Sequence, residues 1–314
     1  MKVHDHSPTK SRRPPRPGGN RRPSGSPKKS LGQHFLRDPE IAVRIVEAAR
    51  IEPGELVLEI GPGRGAITEM LVNRAGRMVL VELDGALADM LTERYLENQN
   101  IRVIESDARD LDLSESGDLP EILERSYKVV ANLPYYAASP IIRRFLEADN
   151  PPAEMVVMVQ REVAREMAAP EGRMGLLSVA TQYYADVEVV FDVPAAAFIP
   201  PPKVVSSVIR LVKRASPPLE IDDEPAFFSF VRAGFKAPRK QLHNSLARGL
   251  LIEIPEAAGI IARAGLDPVR RPRTLSTAEW GRLYEARAGM QERAASAAPA
   301  LVGEEAADDR QAGA

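Results

Sequence analysis

The 314-residue sequence predicts a doubly wound α/β sheet followed by a small all-helical domain, on three observations. Short β-branched runs alternate with stretches of helical periodicity between residues 55 and 159. A glycine-rich turn closes the first of those runs, where an α/β sheet binds ligands. Beyond residue 218 the apolar pattern becomes wholly helical.

The strand runs come in order as Leu56-Val-Leu58, Met78-Val-Leu-Val81, Ile101-Arg-Val-Ile104, Val129-Val-Ala131 and Met155-Val-Val-Met-Val159. Between them, residues 66–75, 85–97 and 139–148 carry helical spacing, with Ser139-Pro140 read as a cap and first-turn proline. Val187-Glu-Val-Val-Phe191 and residues 204–212 follow with no helical pattern between them, which predicts an antiparallel hairpin finishing the sheet. Lys213-Arg-Ala-Ser-Pro-Pro218 marks a domain boundary. Helices are expected at 225–235, 239–250 and 255–264, and a capping box at Ser276-Thr-Ala-Glu279 opens another. The chain therefore divides into a disordered basic tail (1–29), the sheet domain (30–214), a helical domain (215–288) and a disordered tail (289–314). About 70 residues make a small core, so the helical unit is expected to lean on the first.

An apolar fraction of 44% suits a protein with a real core. Zero cysteines exclude disulfides and thiolate metal sites, and four histidines, two of them at positions 4 and 6, leave little for a zinc centre. The expectation is a metal-free, monomeric, cytoplasmic protein with no membrane segment, since no run approaches the length a membrane span needs. The net charge of −2 conceals a strong polarity. Residues 1–29 hold nine basic side chains against Asp5, a net +8, and residues 203–273 hold thirteen against seven, a net +6. Such local excess is the footprint of a nucleic-acid partner. The tail is expected to add salt-dependent, sequence-independent RNA affinity.

Glu59-Ile-Gly-Pro-Gly-Arg-Gly65 spaces its glycines G-x-G-x-G. That departs from the dinucleotide pattern, whose third glycine serves helix packing beside a pyrophosphate, and favours a nucleoside cofactor without phosphates. Glu82, just past the second strand, stands where a carboxylate accepts both ribose hydroxyls, and Asp107, past the third, where it takes an adenine amine. Gly61, Glu82 and Asp107 together point to S-adenosylmethionine. Asn132-Leu-Pro-Tyr135 closes the fourth run. An adenine amine is a poor nucleophile, because its lone pair is delocalised into the ring. Asn132 and the carbonyl of the Leu133-Pro134 segment are placed to accept its two hydrogens, and Tyr135 to stack on the base. The target base must be unpaired or flipped, and Phe198 is the candidate second wall. Tyr136, Tyr183 and Tyr184 are assigned to packing. Lys203, Arg232, Lys236, Arg239 and Lys240 are candidate phosphate contacts, each one individually better explained as a solvated face.

Ser30-Leu-Gly-Gln-His-Phe-Leu36, the glycine turn, Asn132-Leu-Pro-Tyr135 and Phe198-Ile-Pro-Pro-Pro-Lys-Val204 together resemble the ribosomal RNA adenine dimethyltransferase family. The resemblance covers roughly residues 28–285. With Phe235-Lys-Ala-Pro-Arg-Lys-Gln-Leu-His-Asn244 it looks closest to the bacterial small-subunit branch. It implies a Rossmann-like S-adenosylmethionine-dependent methyltransferase sheet and dimethylation of two adjacent adenosines near the 3′ end of 16S rRNA, late in small-subunit assembly. It also implies cofactor contacts at His34, Leu36, Gly61, Glu82, Asp107 and Asn132, although the family pattern has asparagine where this chain has His34. A large-subunit methyltransferase of the macrolide-resistance type and a non-catalytic assembly factor are the competing readings.

Overall fold

The computed structural model of the protein describes residues 33–114 and 117–297. The basic tail, residues 30–32 of the first motif and residues 298–314 lie outside the described residues. The sheet domain opens with a two-residue strand, β1 (Phe35–Leu36), and α1 (Pro39–Ala48), whose first turn is capped by the Asp38 carboxylate accepting from the amides of Glu40 and Ile41. Then follow β2 (Leu56–Ile60), α2 (Thr68–Leu71), β3 (Arg77–Glu82), α3 (Gly85–Arg94), β4 (Ile101–Glu105), α4 (Glu121–Glu124), β5 (Tyr127–Asn132), α5 (Ala138–Leu146) and β6 (Glu154–Gln160). After α6 (Arg161–Met167) and α7 (Leu176–Tyr184) come β7 (Ala185–Val193), β8 (Phe198–Ile199) and β9 (Ser206–Lys213). The helical part comprises α8 (Glu224–Gly234), α9 (Leu242–Leu250), α10 (Ile254–Arg263) and α11 (Thr277–Ala297).

The seven-stranded sheet runs β4-β3-β2-β5-β6-β9-β7, with β4 through β6 parallel and the pairings of β9 with β6 and with β7 antiparallel. The expected hairpin is present, and β9 inserts between β6 and β7. From β2 the chain builds outward through β3 and β4, then crosses back to add β5 on the other side. The carboxyl ends of β2 and β5 therefore flank the switch point where such sheets open a crevice. Ile60 pairs with Ala131, so Gly61 and Asn132 emerge side by side.

Period-two alternation sends Leu56, Leu58 and Ile60 into one core with Ile141 and Phe145 of α5, and Val57 into another with Ile41 and Ile45 of α1. A third core gathers Phe227, Phe230, Leu246, Ile261 and Trp280. Met174, Val179 and Tyr183, from before the boundary at 214, belong to it as well, so the small unit's core extends into the first. The phenols of Tyr183 and Tyr184 also donate to the two oxygens of Glu224.

Four local expectations need correction. The helix expected over 66–75 keeps only Thr68–Leu71 as regular α-helix. Ser139 does not cap α5, which starts at Ala138 after the uncapped Ala137, leaving Ser139 and Pro140 inside its first turn. Helices α6 and α7 had no counterpart in the sequence pattern. The boundary at 288 moves, because α11 continues through Ala297. The capping box that opens α11 is present: the Ser276 amide donates to Glu279 Oε2 at 2.9 Å and the Glu279 amide to Ser276 Oγ at 3.2 Å.

Candidate active site

One pocket opens between the carboxyl ends of β2, β3, β4 and β5, closed on another side by residues 33–35 and Phe198. Its cofactor half is built from backbone. Gly61 and Gly63 sit at φ +69° and +58°, a left-handed region that side chains rarely adopt. A Cβ at 61 would meet the Asn132 carbonyl oxygen at 3.3 Å, and one at 63 the Phe35 ring at 3.2 Å. The Gly63 amide donates to Glu82 Oε2 and the Asp84 amide to Glu82 Oε1, each at 2.9 Å. Burial pushes the Glu82 carboxyl above its ordinary range, with those two amides working against the shift. Held by those two amides, the carboxylate lines the pocket.

Behind the turn lies Glu59, buried at 1% exposure. Among the described residues, its Oε2 and the neighbouring Thr68 Oγ1 have no hydrogen-bond partner. Burial pushes its pKa up to about 8, with the nearby Thr68 hydroxyl working against the shift and the Glu82 charge adding to it. The sequence reading took this residue only as the first letter of the motif.

The other half is built from side chains anchored far away in sequence. Asn132 Nδ2 donates to the His34 carbonyl at 3.2 Å. A carbonyl accepts only from the NH2 end of the amide, so this contact leaves Oδ1 as the end for incoming hydrogens. The Tyr135 hydroxyl and Ser206 Oγ share a hydrogen bond of 2.6 Å, and the Tyr135 ring lies 5.8 Å from the His34 ring at 27°. His34 is itself pinned, its Nδ1 donating to the Pro200 carbonyl at 2.7 Å. Burial raises the Tyr135 phenol above its usual range, keeping it neutral.

Of the six expected cofactor residues, His34, Gly61, Glu82, Asp107 and Asn132 line this pocket. Leu36 does not: its side chain packs in the α1 core, and Phe35 takes the lining position. Asn132, Leu133, Pro134, Tyr135 and Phe198 all line it, with Phe198 nearly buried at 3%. Asp107 is not a bare acceptor as expected, because the Arg109 guanidinium grips it through Nε and Nη2 and holds its carboxyl below the usual range. Tyr136 is not a packing residue either; it is 51% exposed on the pocket rim. Sequence reasoning missed Arg109, Ser206 and Leu83, the last a 39%-exposed apolar side chain beside Glu82. For Leu83 the signal was available, an apolar residue directly after the ribose-type carboxylate. For Ser206 no local signal exists. Among the described residues, no helix is long and apolar enough to cross a membrane, and no three His, Asp or Glu side chains cluster to hold a metal.

A family model of ribosomal RNA adenine dimethylases matches residues 25–282. The chain belongs to that family. Among its relatives, the ribosomal RNA small subunit methyltransferase A of Dehalococcoides mccartyi (strain CBDB1) is 44% identical over 258 residues, covering 82% of this chain and 87% of the relative. The protein of that name from Geobacillus kaustophilus (strain HTA426) is 43% identical over 270 residues, covering 84% and 92%. Two solved structures share the architecture. The 23S rRNA methyltransferase ErmE matches at 30% identity and a TM-score of 0.62, over 80% of this chain and 98% of its own. A dimethyladenosine transferase from Plasmodium falciparum matches at 25% and 0.67, over 80% and 96%. This adenine dimethylase thus carries its family's sheet as a Rossmann-like methyltransferase fold with a helical C-terminal part.

Proposed function

We propose that this protein uses S-adenosylmethionine to dimethylate the 6-amino groups of two adjacent adenosines in the 3′-terminal hairpin of 16S rRNA, acting as a metal-free monomer in the cytoplasm on the small subunit late in its assembly. The observation that carries this reading is the aimed amide of Asn132, held beside the bare Gly61 turn with its oxygen left for donors. Relatives sharing more than two-fifths of their residues across four-fifths of the chain bear small-subunit methyltransferase names, which favours 16S over other RNAs.

The residues present fit the cofactor. The glycine turn gives room for a nucleoside, Glu82 offers paired acceptors for ribose hydroxyls, and Asp107 offers one for an adenine amine. His34 is assigned to this half through its position at the pocket wall. Bound there, S-adenosylmethionine supplies a methyl group on a sulfonium centre that leaves as a neutral thioether. Asn132 Oδ1 and the Leu133 carbonyl accept the two amine hydrogens of the target adenine and draw its nitrogen toward tetrahedral geometry. Pro134 stiffens the segment that aims them. Tyr135, fixed by Ser206, and Phe198 sandwich the base. The proton displaced from the methylated amine leaves to solvent, so the chain needs no strong base. RNA grip is assigned to a groove between the two units where Arg165, Arg173, Arg239 and Arg273 outnumber Glu162 and Glu166.

The similarity to ErmE favours a second reading, a 23S substrate. Tritium transfer from labelled S-adenosylmethionine to undermethylated small subunits, large subunits and naked DNA separates the two. Label on two adjacent 3′-region adenosines of the small subunit is expected. Label on the large subunit alone moves the activity to 23S, and none anywhere favours an assembly factor.

A further inference from the structure

Asp107 follows β4 and Tyr136 follows β5, strands separated in the sheet by β3 and β2, roughly 14 Å at the usual strand spacing. One side chain touches both. Arg109 donates from Nε to Asp107 Oδ1 at 3.0 Å and from Nη2 to Oδ2 at 2.6 Å, while its own amide donates to Oδ1 at 2.9 Å. Its guanidinium carbon lies 5.5 Å from the Tyr136 ring centroid. These two contacts use different parts of the group: its N–H donors grip the carboxylate and its central carbon sits over the ring. A guanidinium combines a rigid bidentate fork with a delocalised charge that suits a ring, whereas an ammonium brings the charge without the fork.

We propose that Arg109 is a positioning residue that straps the cofactor side of the pocket to its target-base side. Its fork sets the direction of the Asp107 carboxylate, and its plane holds Tyr136 at the rim next to Asn132-Leu-Pro-Tyr135. The two sides then close as one unit. The proposal rests on the reading that Asp107 takes the adenine amine of S-adenosylmethionine.

The test is calorimetric titration of S-adenosylmethionine into the full-length protein and its variants, with the melting temperature of each recorded. Arg109→Ala is expected to weaken cofactor binding about 10-fold with the melting temperature nearly unchanged, since the Arg109 and Tyr136 side chains are exposed. Arg109→Lys, which keeps the charge and loses the fork and the plane, should bind nearly as weakly as Arg109→Ala. Tyr136→Leu should weaken binding about 3-fold and Tyr136→Phe distinctly less. The double variant Arg109→Ala/Tyr136→Leu should bind no more weakly than Arg109→Ala alone. Wild-type affinity in Arg109→Lys would reduce the residue to a mere positive charge, and fully additive losses in the double variant would dissolve the strap; either overturns the proposal. Asp107→Asn run alongside separates the premise: unchanged affinity there removes the reading of Asp107 itself, whereas a loss there with Arg109→Ala unchanged removes the strap alone.

Discussion

At the carboxyl end of β2 the chain presents backbone: Gly61 and Gly63 at positive φ, with the Gly63 amide turned onto Glu82. At the adjoining end of β5 it presents side chains, each oriented by a distant residue. Asn132 is aimed by His34, 98 positions away, and Tyr135 by Ser206, 71 away. The first end is tied into the core through the buried Glu59, while the second is held by polar contacts at the core's edge. Changes at β2 should therefore cost folding as well as cofactor, and changes at β5 should cost transfer while sparing the fold.

The sharpest way to break this contrast is Asn132→Ala. Removing a preorganised acceptor for the target amine should lower methyl transfer about 10²–10³-fold, the size seen for single groups that stabilise a transition state. Cofactor affinity should stay within about 3-fold and subunit binding should persist, measured by titration and co-sedimentation. Retained transfer would sink the proposed mechanism.

Glu59→Gln tests the other end. With a folded pKa of about 8 against an ordinary value near 4.5, the carboxyl stabilises the fold when protonated, and that stability drains away as pH rises from about 5 through 8. From pH 5 to pH 9 the loss amounts to roughly 4 kcal/mol, at about 1.4 kcal/mol per pH unit between the two values. Denaturant unfolding from pH 5 to pH 9 should show the wild type weakening by about that much relative to the glutamine variant; parallel profiles would mean that Glu59 does not titrate there.

Gly61→Ala forces a Cβ onto a left-handed backbone and to 3.3 Å from the Asn132 carbonyl, so it should destabilise the protein by about 1–2 kcal/mol. It should also lower both cofactor affinity and transfer, because the added atom pushes on the other strand end. Unchanged stability would show the two ends to be less rigidly joined than their register suggests. The smallest effect is expected from Ser206→Ala, which frees the Tyr135 hydroxyl at a cost of about 1 kcal/mol. It should appear as a several-fold drop in kcat with a melting temperature lower by only about 2 °C, and Tyr135→Phe should match it.

The parallel strands were legible because strands covered on both faces read as continuous apolar runs, as in Leu56-Val-Leu58 and Met155-Val-Val-Met-Val159. The capping box of α11 was legible because its two hydrogen bonds lie within four residues. Helix α7 was not, since Val179 and Tyr183 face the helical core while Leu177 packs against the sheet's core, which blurs any single apolar stripe. The Ser139 cap failed because the backbone had already turned into the helix by Ala138, where the Ala137 amide donates to the Pro134 carbonyl.

By itself the sequence determined what is local: strands, glycine turn, cap, and the order of motifs that marks the family. Positive φ at Gly61 and Gly63, a carboxylate at a strand's carboxyl end, and an amide shortly before a proline are consequences of neighbouring residues, so they are written in the chain. Only the tertiary structure decided which way Asn132 points, that Ser206 holds Tyr135, that Arg109 grips Asp107 and reaches Tyr136, and that Leu36 turns inward while Phe35 lines the pocket. Those choices depend on which groups the packed sheet brings within hydrogen-bonding distance, a distance of about 3 Å that sequence separation does not predict.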